Sequence, residues 1–302
     1  NTVIRAEGKP KLAMVAMIIP SVGNLLMDYV FIYVFDWGMA GAAWATTGGY
    51  LLCFAYVAYF FLSKNASLKP RFKHFVFKKP IVSEIGALGF VTLARQAATS
   101  ITYLVMNSLL FSMGGEALVA VYAIVGRMLM FALFPVFGVT QGFLPIAGFN
   151  YGAGKMERVR ESINTAILYA SALATLVFIG LMVFPEAITA LFLSAKNADA
   201  DTQTLNAYVL EHTPAAMRWV FAATPIIALQ LIGAAYFQAA GKAVPALLLT
   251  LSRQALLFIP LVFLLPMWFG TIGVWLAFPI SDVLATIITG YFLRREIKRF
   301  FS

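Results

Sequence analysis

The chain has 302 residues, 61% of them hydrophobic and 12% charged, with a formal net charge of +9. Its mean hydropathy is +0.86, and soluble domains carry only about 45–50% apolar residues, so this composition excludes an ordinary water-soluble fold. The single cysteine, Cys53, excludes a disulfide framework and a thiolate metal cluster.

Taken in order, eight stretches are apolar enough to cross a bilayer: 12–34, 40–62, 86–112, 118–146, 162–184, 214–238, 244–266 and 271–293. Each meets the roughly 20 residues that about 30 Å of hydrocarbon requires. None alternates strictly in the way a barrel strand does, so the expected fold is an all-α integral membrane protein of eight transmembrane helices. A basic segment, 64–85, separates the first two spans (1–63) from a six-helix lobe with a basic tail (86–302). Within that segment Phe72, Phe75, Val76 and Phe77 interleave with Lys69, Arg71, Lys73, Lys78 and Lys79. The pattern suits the cytoplasmic membrane interface, or else an ordinary solvated loop broken by Pro70 and Pro80.

If successive spans alternate in direction, 17 of the 22 Lys and Arg residues share one side. Of the Lys and Arg residues the opposite loops (35–39, 113–117, 185–213 and 267–270) hold only Lys196, against Asp36, Glu116, Glu186, Asp199, Asp201 and Glu211. Cationic loops stay on the cytoplasmic side, which places both chain ends there. The positive balance is accounted for by topology and by anionic lipid headgroups, with no need for nucleic acid. His74 and His212 are the only histidines, and no metalloprotease, phosphate-loop or nucleophile-elbow motif occurs, so the chain does not read as an enzyme.

The end of the chain repeats its beginning. Gly38, Gly41 and Ala45 recur 232 positions later as Gly270, Gly273 and Ala277, and Gly8 and Lys9 recur at Gly241 and Lys242. Both copies run in the same direction, as in a parallel repeat about an axis along the membrane normal. With six helices in the second lobe, the repeat implies six in the first, of which this sequence carries two. The chain also starts at Asn1 without an initiator Met, inside a polar loop, so a fragment lacking four helices is expected.

Polar groups inside the spans are costly and mark functional candidates. Asn24 and Asp28 lie one helical turn apart in the first span, where they either hold a cation or proton or simply bond a neighbouring helix. Arg253 stands roughly 14 Å above the cytoplasmic end of its span and Asp282 roughly 16 Å above the end of the next at 1.5 Å per residue. They are expected to pair, either permanently or as a pair broken and remade in a cycle. Arg95, Gln96, Asn107, Arg127 and Gln141, with Gln230 and Gln238, are expected to line a polar cleft in the second lobe, or to serve as interhelical hydrogen-bond glue. Arg218, near an outer end, should reach the surface. Of the in-span prolines, Pro20, Pro135, Pro145, Pro225, Pro260 and Pro279, the first and third are taken as hinge candidates.

Several segments resemble the multidrug and toxic compound extrusion (MATE) transporter family: Gln141 to Glu161 (QGFLPIAGFNYGAGKMERVRE), the first spans with Asn24 and Asp28, Leu88 to Asn107 with its Arg-Gln pair, and Tyr236 to Asp282. The correspondence is colinear and assigns the eight spans to helices five to twelve of twelve. It implies a monomeric secondary antiporter in a bacterial plasma membrane, with two lobes around a V-shaped cavity. Such a protein exports cationic or amphiphilic organic compounds against H⁺ or Na⁺ by rocking, with no bound cofactor. A lipid-linked oligosaccharide flippase of the same superfamily is the alternative. The family's sodium-site acid in its seventh helix has no counterpart, since 88–112 contains no Asp or Glu, so the coupling ion stays open.

Overall fold

A computed structural model of the chain describes residues 2–63, 66, 68, 78–193 and 200–300. The interleaved Phe and Lys of 69–77, and Lys196 and Asp199, lie outside the described residues. Every regular element among the described residues is a helix. They are α1 (Thr2–Ala6), α2 (Pro10–Asp28), α3 (Gly38–Leu62), α4 (Lys79–Gly152), α5 (Met156–Val183), α6 (Pro185–Ala190), α7 (Ala200–Val220), α8 (Ile227–Ala239), α9 (Ala243–Leu251), α10 (Phe258–Leu264), α11 (Pro266–Phe269) and α12 (Thr271–Phe300). Seven helical stretches among them are long and apolar enough to span a membrane. The longest, α4, runs for 74 residues but has non-helical dihedrals at Gly114 and Gly115. Gly115 takes φ +64°, ψ −152°, a conformation closed to residues with a Cβ, so the chain turns there, between the stretches 86–112 and 118–146.

The chain divides into two units, Asn1–Lys79 and Pro80–Ser302. In the first, α2 and α3 form a hairpin whose seam is built from small residues. Ala13, Ala16 and Ala45 are fully buried, and a Cβ on Gly49 would stand 2.8 Å from the Pro20 carbonyl oxygen. With no hydrophobic drive between helices in lipid, such close backbone approach is what holds a pair together. The outer faces are oily: Leu25, Phe54 and Tyr59 are 69%, 70% and 74% exposed, as expected where the solvent is hydrocarbon.

The second unit has two apolar cores. One joins Met106, Leu110 and Val121 of α4 to Phe221, Val262 and Val274. The other joins Phe143 and Ala147 of α4 to Ile163 of α5, Ile232 and Tyr236 of α8, and Leu249 of α9. Gly233 permits α8 to lie directly on α12, because a Cβ there would collide with Thr289. At one end of these helices Lys242 forms an ion pair with Glu296 of α12 and lies 5.7 Å from the centre of the Tyr151 ring, tying three helix ends together.

The repeat in the sequence is matched in the backbone. Gly8 and Gly241 take φ +76° and +72°, Gly38 and Gly270 take +50° and +57°. Gly41 lies against the Phe31 backbone and Gly273 against the Leu265 backbone, each at the point where a helix starts beneath the end of its predecessor. Ala45 and Ala277 are both fully buried.

One expectation needs correction. The loop drawn over 185–213 is partly helical: α6 covers Pro185–Ala190 and α7 begins at Ala200. A polar first turn, with Asp201 favoured at the positive end of the helix dipole, concealed it from a hydropathy reading. Pro20 and Pro145 both sit inside continuous helix. The irregular places are a turn and short 3₁₀ segment around Pro225 (Thr224–Ile226) and two π-helical segments, Tyr29–Val34 and Ser252–Leu256.

Candidate functional site

The second π-helical segment has a local cause in the sequence. Pro260 has no N–H to give the Leu256 carbonyl, and its ring crowds that oxygen, so the preceding turn widens: Leu257 N–H bonds back five residues to the Ser252 carbonyl at 3.0 Å. Single π turns of this kind concentrate at functional sites because they re-aim side chains. Here the turn presents Arg253 and Gln254 to a half-open cavity of about 450 Å³ in the second unit.

Four segments wall that cavity. The first half of α4 contributes Arg95, Gln96, Thr99, Thr102 and Tyr103, and its second half contributes Tyr122, Leu133, Phe134, Phe137 and Gln141. The π turn and α10 add Arg253, Gln254 and Phe258, while α12 adds Phe278, Ser281 and Asp282. The rows on α4 follow i, i+4, i+7 and i+8 spacing, which puts them on one helical face. Arg253 Nε donates to Asp282 Oδ1 at 2.6 Å, and both side chains are nearly buried, at 10% and 7% exposure. The two residues that the sequence placed at one depth on neighbouring antiparallel spans thus meet in the wall of the cavity. Thr102 Oγ1 donates at 3.0 Å to the Gln254 carbonyl, which sits in the widened turn. Gln254 Oε1 is buried with no partner among the described residues.

Thr102 was not singled out by its sequence, since a threonine in an apolar span is unremarkable until a carbonyl displaced by a neighbouring π turn stands opposite it. Thr102→Val should remove that interhelical bond while keeping the shape, at a cost of about 1 kcal/mol. The expected reading is a fall of about 3 °C in the unfolding midpoint in detergent, followed by size-exclusion recovery after heating.

Arg95, Gln96 and Gln141 line the cavity, whereas Asn107, Arg127, Gln230 and Gln238 are not among its lining residues. Asn107 is exposed beyond Met106, whose fully buried side chain ends the row on the first half of α4. Arg127 falls off the lining face of the second half, is exposed, and lies 5.9 Å from the centre of the Phe192 ring. Gln230 is 1% exposed and donates to the Leu249 carbonyl at 2.9 Å, bonding α8 to α9. Gln238 reaches Thr92 Oγ1 at 3.5 Å. These last two act between helices. Arg218 pairs with Glu186 at 3.0 Å, and both are more than half exposed.

In the first unit, Asn24 Nδ2 donates to Thr46 Oγ1 of α3 at 3.4 Å. Asp28, one turn on, is the last residue of α2 before the π-helical segment Tyr29–Val34. Its Oδ1 is buried and has no hydrogen-bond partner among the described residues. A polar oxygen left without a donor in an apolar hairpin is costly. No group of three or more His, Cys, Asp or Glu that could hold a metal ion occurs among the described residues.

Seven long apolar helical stretches among the described residues, with a buried ion pair and a cavity in the second unit, define a multi-pass α-helical membrane protein. The MatE family profile matches residues 92–264. The chain belongs to the MatE family. It is 25% identical over 271 residues to the multidrug export protein MepA of Staphylococcus haemolyticus, covering 89% of this chain and 57% of that protein. To MepA of Staphylococcus aureus (strain MSSA476) it is 24% identical over 297 residues, covering 97% of this chain and 62% of that protein. The chain therefore spans about three fifths of the length of these relatives. Among solved structures, a Pyrococcus furiosus transporter of the MOP superfamily, described as having a binding pocket of reverse polarity, superposes with a TM-score of 0.91 at 24% identity. An outward-facing multidrug resistance MATE family transporter superposes at 0.89 with 24% identity. Each comparison covers 99% of this chain and 65% of the other, and they establish the fold.

Proposed function

We propose that this chain forms eight spans of a secondary antiporter that exports amphiphilic or cationic organic compounds in exchange for H⁺ or Na⁺. In this reading α4 supplies two spans, divided at Gly115, and the set corresponds to helices five to twelve of the family's twelve. The observation that carries it is the cavity of about 450 Å³, which is large enough for a drug-sized compound. Its aromatic rings offer an apolar body a surface, while Arg95, Gln96 and Gln141 offer its polar groups partners. The relatives named as multidrug exporters support the substrate class. The positive-inside distribution of charge supports cytoplasmic ends in a bacterial plasma membrane, with anionic lipid against the basic segments, and the protein works as a monomer.

Asp28 is the coupling-ion candidate in the first unit, and alternate binding of the ion and the compound, with rocking between two facing states, would drive export. Prolines 20 and 145 remain the proposed points of bending. In cells lacking their own efflux pumps and expressing the full-length gene, ethidium should leave faster than in vector controls. Asp28→Asn keeps the shape but cannot ionise, so it is expected to reduce ethidium export at least about tenfold, the usual scale of a lost charged interaction of 1.5–3 kcal/mol. Export at the wild-type rate, with the variant present in the membrane at normal level, would remove Asp28 from the coupling step.

A further inference from the structure

Counting the charges in the cavity wall gives an imbalance. Two guanidinium groups, Arg95 and Arg253, face one carboxylate, Asp282. That carboxylate is committed to Arg253 at 2.6 Å. Arg95 forms no ion pair and its side chain makes no hydrogen bond among the described residues. It is only partly buried, one turn before Thr99, whose hydroxyl bonds the Arg95 carbonyl oxygen at 3.0 Å. An uncompensated guanidinium within the apolar body of a membrane protein is expensive, and the cost is removed when an anion comes to it. The neighbouring polar groups include the uncharged amides and hydroxyls of Gln96, Gln141, Gln254 and Ser281, and among the described lining residues Asp282 is the one carboxylate. Around them stand Tyr103, Tyr122, Phe134, Phe137, Phe258 and Phe278, a wall suited to a flat aromatic body.

We propose that the cavity of the second unit recognises the carboxylate of an amphiphilic aromatic compound, with Arg95 as the counter-ion and specificity-determining residue. The inference rests on the transport reading only in making that compound a transported one. A planar guanidinium offers two parallel N–H groups to a carboxylate, and the aromatic rings hold the rest of the molecule. Arg253, already neutralised, positions the wall and does not set its polarity.

A matched pair of dyes tests this. Rhodamine 110 carries a free carboxylate, and rhodamine 123 is its methyl ester and a net cation. Their binding to the protein in phosphatidylcholine nanodiscs is read by fluorescence anisotropy. Rhodamine 110 is expected to bind about tenfold more tightly, the scale of one charge-assisted hydrogen-bonded pair. Benzoate should displace it, and cyclohexylammonium should not. Arg95→Gln should bring the two dyes within about twofold of each other, Arg95→Lys should keep part of the preference, and Arg218→Gln, a charge removed far from the cavity wall, should leave it unchanged. Equal binding of both dyes, failure of benzoate to compete, or an undiminished preference in Arg95→Gln overturns the proposal. The benzoate competition needs only the unaltered protein, so a variant that does not fold leaves the proposal decidable. If glycerol phosphate displaces rhodamine 110 at concentrations where benzoate does not, a lipid-type phosphate is the natural occupant and the proposal also fails. Ethidium efflux separates the two readings: lost efflux with the dye preference intact removes the transport function and keeps the site, and the reverse removes the site alone.

Discussion

Asp282→Ala is expected to destabilise the second unit by about 3 kcal/mol, because it leaves the Arg253 guanidinium buried without its partner. The pair is close, 2.6 Å, and the remaining cation would be only about one tenth exposed. In a unit of this size such a loss lowers the unfolding midpoint by about 10 °C, readable as the temperature at which half the detergent-solubilised protein remains monodisperse. Removing both charges with well-packed apolar residues, Arg253→Met with Asp282→Leu, should restore most of that stability, since burying an ion pair has a desolvation cost that nearly cancels its attraction. The double variant should also leave Arg95 as the one charged side chain among the described lining residues. A midpoint for Asp282→Ala within about 2 °C of the wild type would mean the pair contributes nothing to folding, and an equally damaged double variant would mean that the hydrogen-bond geometry matters beyond neutralisation.

Gly273→Ala should cost about 2 kcal/mol, a large effect for one added methyl group. A Cβ at this position would stand 2.5 Å from the Leu265 carbonyl carbon and oxygen and 2.6 Å from Pro266 N. All of these are backbone atoms that no rotamer change can move, so α12 would have to withdraw from the helix before it. Gly41 occupies the corresponding place in the first unit, 3.0 Å from the Phe31 carbonyl group, and its replacement should cost less because the gap is wider. Gly180 in α5 has open space where a Cβ would go, and Gly180→Ala should be neutral or stabilise by up to about 1 kcal/mol through helix propensity. The same detergent-stability measurement orders the three variants. A midpoint for Gly273→Ala equal to that of Gly180→Ala would contradict the close approach.

Much of this was legible in order along the chain. Hydrophobic run length sets the candidate spans because a helix must bridge a fixed thickness of hydrocarbon, and α4 turns at Gly114 and Gly115, inside the loop 113–117 read between the stretches 86–112 and 118–146. Depth along a helix is linear in residue number, so Arg253 and Asp282 could be set at one level before their contact was seen. The repeat of Gly41 at Gly273 was readable for a similar reason, since a residue without a side chain often marks backbone approaching backbone. Polar starts of helices were not readable: α7 opens with Asp201 and Thr204, and its first turns resemble a loop to any measure of hydropathy.

The amino-acid order by itself thus determined the solvent of this protein, the number and level of its polar intrusions, and the family whose pattern it shares, because these depend on composition summed over lengths fixed by the bilayer. Only the tertiary structure decided which intrusions share a cavity. Rotation about the helix axis turned Arg95 and Gln141 inward and left Arg127 and Asn107 outside, and a π turn induced beside Pro260 aimed Arg253 and Gln254 at Asp282 and Thr102. Helical phase, bulges and the meeting of helices distant in sequence are set by packing between elements, which no single span encodes alone.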